Sequence, residues 1–158
     1  MNACKCDVNV TILRPNIGFK RLEGNYNPLP KYEKFGDAGL DLRSNIDVLI
    51  HPGKRQPIPI GFAVKLPYDY EGQIRSRSGL ALRHGITVLN SPGTIDAGFR
   101  GELCVILINM NNAAFHVTRG MRVAQLVIAP VARAVISEVE ELDTTDRGLN
   151  GFGSTGVA

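Results

Sequence analysis

Apolar residues along this chain come in short bursts divided by turn residues, with no sustained helical period. Val8 to Leu13 alternates polar and apolar, as a half-buried strand does. Ile46 to Ile50, Gly61 to Leu66, Gly72 to Ile74, Ile86 to Leu89 and Glu102 to Asn109 continue the series of predicted strands, followed by Ala113 to Val117, Val123 to Ile128 and Arg133 to Val139. Pro52-Gly53, Asn111-Asn112 and Arg119-Gly120 mark turns between them. One stretch reads as a helix, with Ser78 as its cap, Gly79 to His84 as its body and Gly85 as its stop. So little helix cannot cover a parallel sheet, and an all-β domain is expected. Pro15, Gly18, Gly24, Pro28 and Pro30 predict a long ordered loop from Arg14 to Gly36. After Val139 the pattern lapses, and Asp143 to Ala158 is a polar, Gly-rich tail of a kind that frays unless it closes over something.

Composition agrees and narrows the partners. A chain of 158 residues suits one domain with a substantial core. A formal charge of +3 is too small for a nucleic-acid coat, although clustered arginines can still bind a small polyanion. Cys4, Cys6 and Cys104 give neither a disulfide framework nor the spacing of a metal site. Met1 to Val10 lacks an apolar signal core, and no apolar stretch reaches membrane length. A cytoplasmic, reduced protein without membrane contact is the expectation.

Four stretches carry candidate chemistry. In Arg75-Ser76-Arg77-Ser78-Gly79, alternation would set both arginines on one face beside a phosphate-ready turn. Read alone, it is equally a helix cap beside two solvated arginines. Asn90 to Gly101 forms a rigid turn with an Asn near one end and Asp96 near the other. An Asn amide offers a donor and an acceptor to a base edge, and an Asp can take a proton from water. Ordinary turn chemistry explains the same residues. In the tail, Arg147 can fork onto phosphate, and its glycines, Ser154 and Thr155 can wrap oxygen atoms. Phe152 is free to stack on a flat ligand, while disorder is the plain alternative. Arg122-Val123-Ala124-Gln125-Leu126 reads as a strand start with a solvated edge.

In this order, the stretches resemble the five motifs of the trimeric dUTPase family. Asp37-Ala38-Gly39-Leu40-Asp41-Leu42-Arg43-Ser44 is similar to the first, Arg77-Ser78-Gly79-Leu80-Ala81 to the second and Asn90 through Leu103 to the third. Gly120 through Leu126 is similar to the fourth and Arg147 through Gly156 to the fifth. Any one motif is weak; five in register are specific.

The resemblance implies a distorted jelly-roll β-barrel in a homotrimer. Residues 1–142 would form the core, and residues 143–158 an exchanged C-terminal arm over a neighbouring site. The implied reaction converts dUTP to dUMP and pyrophosphate by water attack on the α-phosphorus, with Mg2+ as cofactor. It would limit uracil incorporation into DNA and supply dUMP for dTMP synthesis. Asp96, Asp41 and Gln125 would be the catalytic set, with Asp41 reaching the metal through water. Substrate would be bound by Arg77, Ser78, Gly79, Asn90, Gly93, Thr94, Ile95, Phe99 and Cys104. Arg147, Phe152, Gly153, Ser154 and Thr155 would join them on closure of the arm. Phe99 stands where the family usually has Tyr, and its ring would lie under the deoxyribose.

Two other readings set tests. A dCTP deaminase of the same fold needs a catalytic Glu ten residues beyond Asp96, where this chain has Ile106. A regulatory binding protein of the same fold would show degraded motifs, yet Asp41, Asp96, Arg147 and Phe152 are present. A regulatory surface in addition to catalysis would be sought in the loop from Arg14 to Gly36.

Overall fold

A computed structural model describes residues 14–149. The chain forms β1 (Gly18–Arg21), β2 (Gly39–Arg43), β3 (Val48–Ile50), β4 (Arg55–Lys65), β5 (Tyr70–Arg75), α1 (Ser78–His84), β6 (Ile86–Val88), β7 (Gly93–Ile95), β8 (Glu102–Asn109), β9 (Phe115–Val117) and β10 (Arg122–Pro130). Two four-stranded sheets, ordered β1-β4-β8-β6 and β2-β10-β5-β7, and the small pair β3-β9 are antiparallel throughout. This is the distorted jelly roll that the motifs implied. Alternation drives the packing: on β8, Leu103, Val105 and Leu107 turn inward while Glu102, Cys104 and Ile106 face out. Leu42, Ile58 and Leu126 close the core at 0% exposure, each burial contributing about 1.5–3 kcal/mol.

Several elements differ from the sequence expectation. The loop from Arg14 to Gly36 contains β1, a short edge strand that bursts of Pro and Gly disguised; it pairs with the far end of β4. Val8 to Leu13 lies outside the described residues. β4 begins well before Gly61, although Pro57 and Pro59 argue against a strand. β1 covers only Phe62 to Lys65, so among the described residues the proline half of β4 has one edge without a partner, where a missing N–H breaks no ladder. Gly93 to Ile95 is a strand on β5 rather than a bare turn. Arg133 to Val139 is no strand: these residues have no ladder partner among the described residues and stay exposed.

The helix starts one position earlier than expected. Arg77 is the N-cap, still extended at φ −91 and ψ 122, and its carbonyl accepts the N–H groups of Leu80 and Ala81 at 3.0 and 3.1 Å. Ser78 is therefore the first helical residue, and its hydroxyl is not used as a cap. Gly85 ends the helix at φ 63, a left-handed conformation that glycine adopts without a Cβ clash.

Candidate active site

β5 runs into the turn Ser76-Arg77, and three bonds hold that turn. The Ser76 hydroxyl accepts the Val88 N–H at 3.0 Å and pairs with the Thr87 hydroxyl at 2.7 Å. The Ser76 carbonyl accepts Gln125 Nε2 at 3.0 Å. Register places Asp41 of β2, Gln125 of β10 and Arg75 of β5 in one cross-strand row. Gly39 leaves room for Gln125, since a Cβ there would sit 2.4 Å from its Oε1. Arg75 does not join Arg77; it turns along its own strand to Gln73 Oε1 at 3.0 Å.

Charge gathers on the other side of the turn. Asp41 holds Arg77 Nε at 3.3 Å with one oxygen and Arg122 Nη1 at 3.1 Å with the other. Arg77 also donates to the Arg122 carbonyl at 3.1 Å. The Asp41 side chain is 17% exposed while those of Arg77 and Arg122 are 30% and 43% exposed, so solvent screens part of this bridge. These residues, with Ser78, Gly79, Gln125, Lys34 and Arg83, line a cavity of about 410 Å³. Backbone amides, a hydroxyl and several cations around such a space suit a phosphate chain.

A second cavity, of about 230 Å³, lies on the segment linking β6 to β8. β6 and β8 pair in one sheet, yet the segment between them crosses over and pairs as β7 with β5 in the other. It contains a cis Ser91–Pro92 bond and presents Asn90, Gly93, Thr94, Ile95 and Asp96 to the cavity. Gly93 sits so close to Asn90 that a Cβ would approach its Nδ2 to 3.2 Å. Past Asp96 the chain turns, with the Asp96 carbonyl accepting the Phe99 N–H at 3.0 Å. Arg100 Nη1 clamps that turn through the carbonyls of Ala97 and Phe99, both at 2.7 Å. The Phe99 ring lies across Gly101, where any Cβ would meet it at 2.7 Å.

β8 supplies the opposite wall through Glu102, Cys104 and Ile106. Glu102 is fixed because its Oε1 accepts the Gly61 N–H at 2.7 Å, presented by a left-handed Gly61 at φ 78. Burial pushes the Cys104 thiol up, the Glu102 charge adds to the rise, and a backbone bond at Ile58 partly offsets both.

The predicted residues therefore divide between two cavities. Asn90, Gly93, Thr94, Ile95, Asp96, Phe99 and Cys104 line the smaller, and Asp41, Arg77, Ser78, Gly79 and Gln125 the larger; the two share no lining residue. Arg147 lines neither. Phe152, Gly153, Ser154 and Thr155 lie outside the described residues. Sequence reasoning missed Glu102 and Ile106 as wall residues, although alternation from Cys104 on β8 marks both. It also missed Lys34 and Arg83, and read Arg122 only as part of a solvated strand edge. Arg83 lies four residues beyond Gly79 on the helix, a spacing that signals a shared face.

The all-β chain thus holds one cleft that joins an Asn amide, a carboxylate and a ring, and another in which four cations face three carboxylates. Residues 25–156 match the family model described as dUTPase, and the chain belongs to the dUTPase family. It is 57% identical over 129 residues to the deoxyuridine 5'-triphosphate nucleotidohydrolase of Gloeothece citriformis, covering 82% of this chain and 89% of that protein. The protein of that name from Zymomonas mobilis is 50% identical, with 92% and 100% covered. Among solved structures, a Staphylococcus bacteriophage 80alpha dUTPase with dUPNHPP superposes at a TM-score of 0.82 and 28% identity, with 90% and 99% covered.

Proposed function

We propose that this protein hydrolyses dUTP to dUMP and pyrophosphate, with water attacking the α-phosphorus. The reading rests on family membership and on one observation: base-side and phosphate-side chemistry occupy two cavities with no common residue. The reaction would limit uracil incorporation into DNA and supply dUMP for dTMP synthesis.

In this reading the smaller cavity takes uridine. The Asn90 amide pairs with the uracil edge, and a wall built from β7 and β8 leaves no room for the thymine methyl, whose insertion costs about 1–3 kcal/mol as overpacking does. Phe99 lies under the deoxyribose and disfavours a 2′-hydroxyl. Asp96 accepts a proton from the attacking water. Ile106 forms part of this wall, and a hydrocarbon side chain cannot shuttle protons to an exocyclic amine, which argues against deamination. In the larger cavity Arg77, Ser78, Gly79 and Gln125 hold the phosphates.

The metal fits the same division. No cluster of three or more His, Cys, Asp or Glu among the described residues could cage an ion, which suits magnesium held by phosphate oxygens and water with Asp41 reaching it through its water shell. Bound there, magnesium would neutralise charge on the triphosphate.

We read the protein as a homotrimer, in which neighbouring subunits would join the two kinds of cavity around one nucleotide. The segment past β10 supports this: Val135, Ile136 and Leu142 are 99%, 92% and 87% exposed, apolar surface that a neighbour would cover. Residues 143–158 act as the arm that brings Arg147, Phe152, Gly153, Ser154 and Thr155 over an adjacent site, excluding bulk water. No helix among the described residues is long and apolar enough to cross a membrane, and we place the enzyme in the cytoplasm.

The deciding experiment measures pyrophosphate release from each deoxynucleoside triphosphate, with and without magnesium. Rapid release from dUTP alone, dependent on the metal, is expected. Ammonia from dCTP would replace this reading with deamination.

A further inference from the structure

The larger cavity contains three arginines in unequal states. Arg77 and Arg122 are both engaged by Asp41, so one carboxylate already offsets part of their charge. Arg83 also lines the cavity, and it has no hydrogen bond or ion pair within the described residues. Its guanidinium folds back along α1 over Gly79: a Cβ on Gly79 would lie 2.7 Å from its Nη2. Gly79 thus leaves open the space that the Arg83 guanidinium occupies.

From this we propose that Arg83 is a further substrate-binding residue, whose uncommitted guanidinium takes the outer, pyrophosphate end of the dUTP phosphate chain. The assignment rests on the phosphate role given to this cavity above. Arg83 is exposed while Arg77 is half-buried, so Arg83 stands at the outer lip. The distal end of the chain carries the most charge and needs the strongest compensation there. A planar guanidinium with five donors can fork onto two phosphate oxygens without giving up another partner. Arg77 and Arg122, by contrast, already commit part of their donor set, both to Asp41 and Arg77 also to the Arg122 carbonyl.

The test compares wild type with Arg83→Ala and Arg83→Lys. Arg83→Ala should raise KM for dUTP about tenfold, the equivalent of about 1.4 kcal/mol, with kcat much less affected. Affinity for dUMP, which lacks the distal phosphates, should not change, and the rise of KM with ionic strength should flatten. Arg83→Lys, which keeps the charge without the fork, should recover part of the loss. Calorimetry with inorganic pyrophosphate and magnesium supplies a readout independent of turnover, and Arg83→Ala should bind it more weakly. An unchanged KM and salt response in a folded Arg83→Ala protein would overturn the assignment, as would an equal loss of dUMP affinity. Failure of wild type to cleave dUTP would instead remove the reading of the reaction. Pyrophosphate binding unaltered in Arg83→Ala would then remove the arginine's role as well.

Discussion

The two cavities solve opposite problems with opposite materials. The smaller is a shape: backbone turns, a ring laid over a glycine and a wall of alternating residues from one strand. Among its polar side chains, Glu102 is held by the Gly61 N–H. The larger is a charge distribution, in which Asp41 holds Arg77 and Arg122 beside Lys34, Arg83, Glu33 and Asp37. Shape discriminates among nucleotides because a misplaced methyl or hydroxyl has nowhere to go. Charge cannot tell bases apart, but it supplies grip and stabilises what develops at phosphorus. Selectivity and affinity are thus separable here, and substitutions should separate them.

The sharpest break is expected at Asp96, which lies on the shape side but is assigned a chemical role. Asp96→Asn should reduce kcat by about a thousandfold, within the range for a lost general base, while a non-hydrolysable imido analogue of dUTP binds nearly as before. Near-normal turnover would show that the carboxylate only shapes the cleft. Next in size is the arm. Deleting Asp146 to Ala158 should lower activity about a hundredfold and leave the circular dichroism spectrum and melting temperature of the core unchanged, because the described residues beyond Pro130 are exposed and outside the sheets. Full activity in the truncated protein would mean that the two cavities suffice without a cover.

How much of this division was legible beforehand depends on the type of feature. The residues of both cavities stood out as motifs because their chemistry is local: Asn90 to Gly101 is contiguous, and Arg77-Ser78-Gly79 is adjacent. Their allocation to separate cavities did not, since it follows from cross-strand register. Asp41 meets Gln125 only because β2 pairs with β10, and Glu102 is pinned by Gly61 only through an irregular β4. Short strands such as β1 and β7 were hidden for the same reason, being defined by a partner rather than by their own composition. Arg133 to Val139 shows the converse: its pattern is strand-like, but nothing among the described residues pairs with it.

Smaller effects sharpen the comparison from the shape side. Phe99→Ala should cut the preference for dUTP over UTP about tenfold, because the lost ring frees space beside C2′, and should leave the ionic-strength dependence unchanged. A change in salt response instead would place Phe99's influence in the charge distribution. The mildest expectation concerns Cys104. With its thiol pushed above the usual range, less thiolate exists at neutral pH than in an ordinary cysteine. Alkylation at pH 7 should be slower than that of a free-cysteine peptide and should accelerate only at more alkaline pH; once modified, the protein should lose nucleotide affinity. Rapid alkylation at neutral pH would contradict the upward shift of the thiol that partial desolvation and the Glu102 charge produce.

β5 belongs to both regions. Its Ile74 lines the smaller cavity, and three residues later the same backbone delivers Arg77 to the larger. In the proposed trimer, the strand acts as a ruler within one subunit, fixing together a cleft offered to one site and a cavity offered to another, and its spacing admits little error. Gly72 is packed so tightly that a single added carbon would fall 2.9 Å from Leu126 and 3.2 Å from Ile95. Bending that ruler at one mark would misplace both ends together, so damage here should appear as simultaneous loss of discernment and hold, never as one alone.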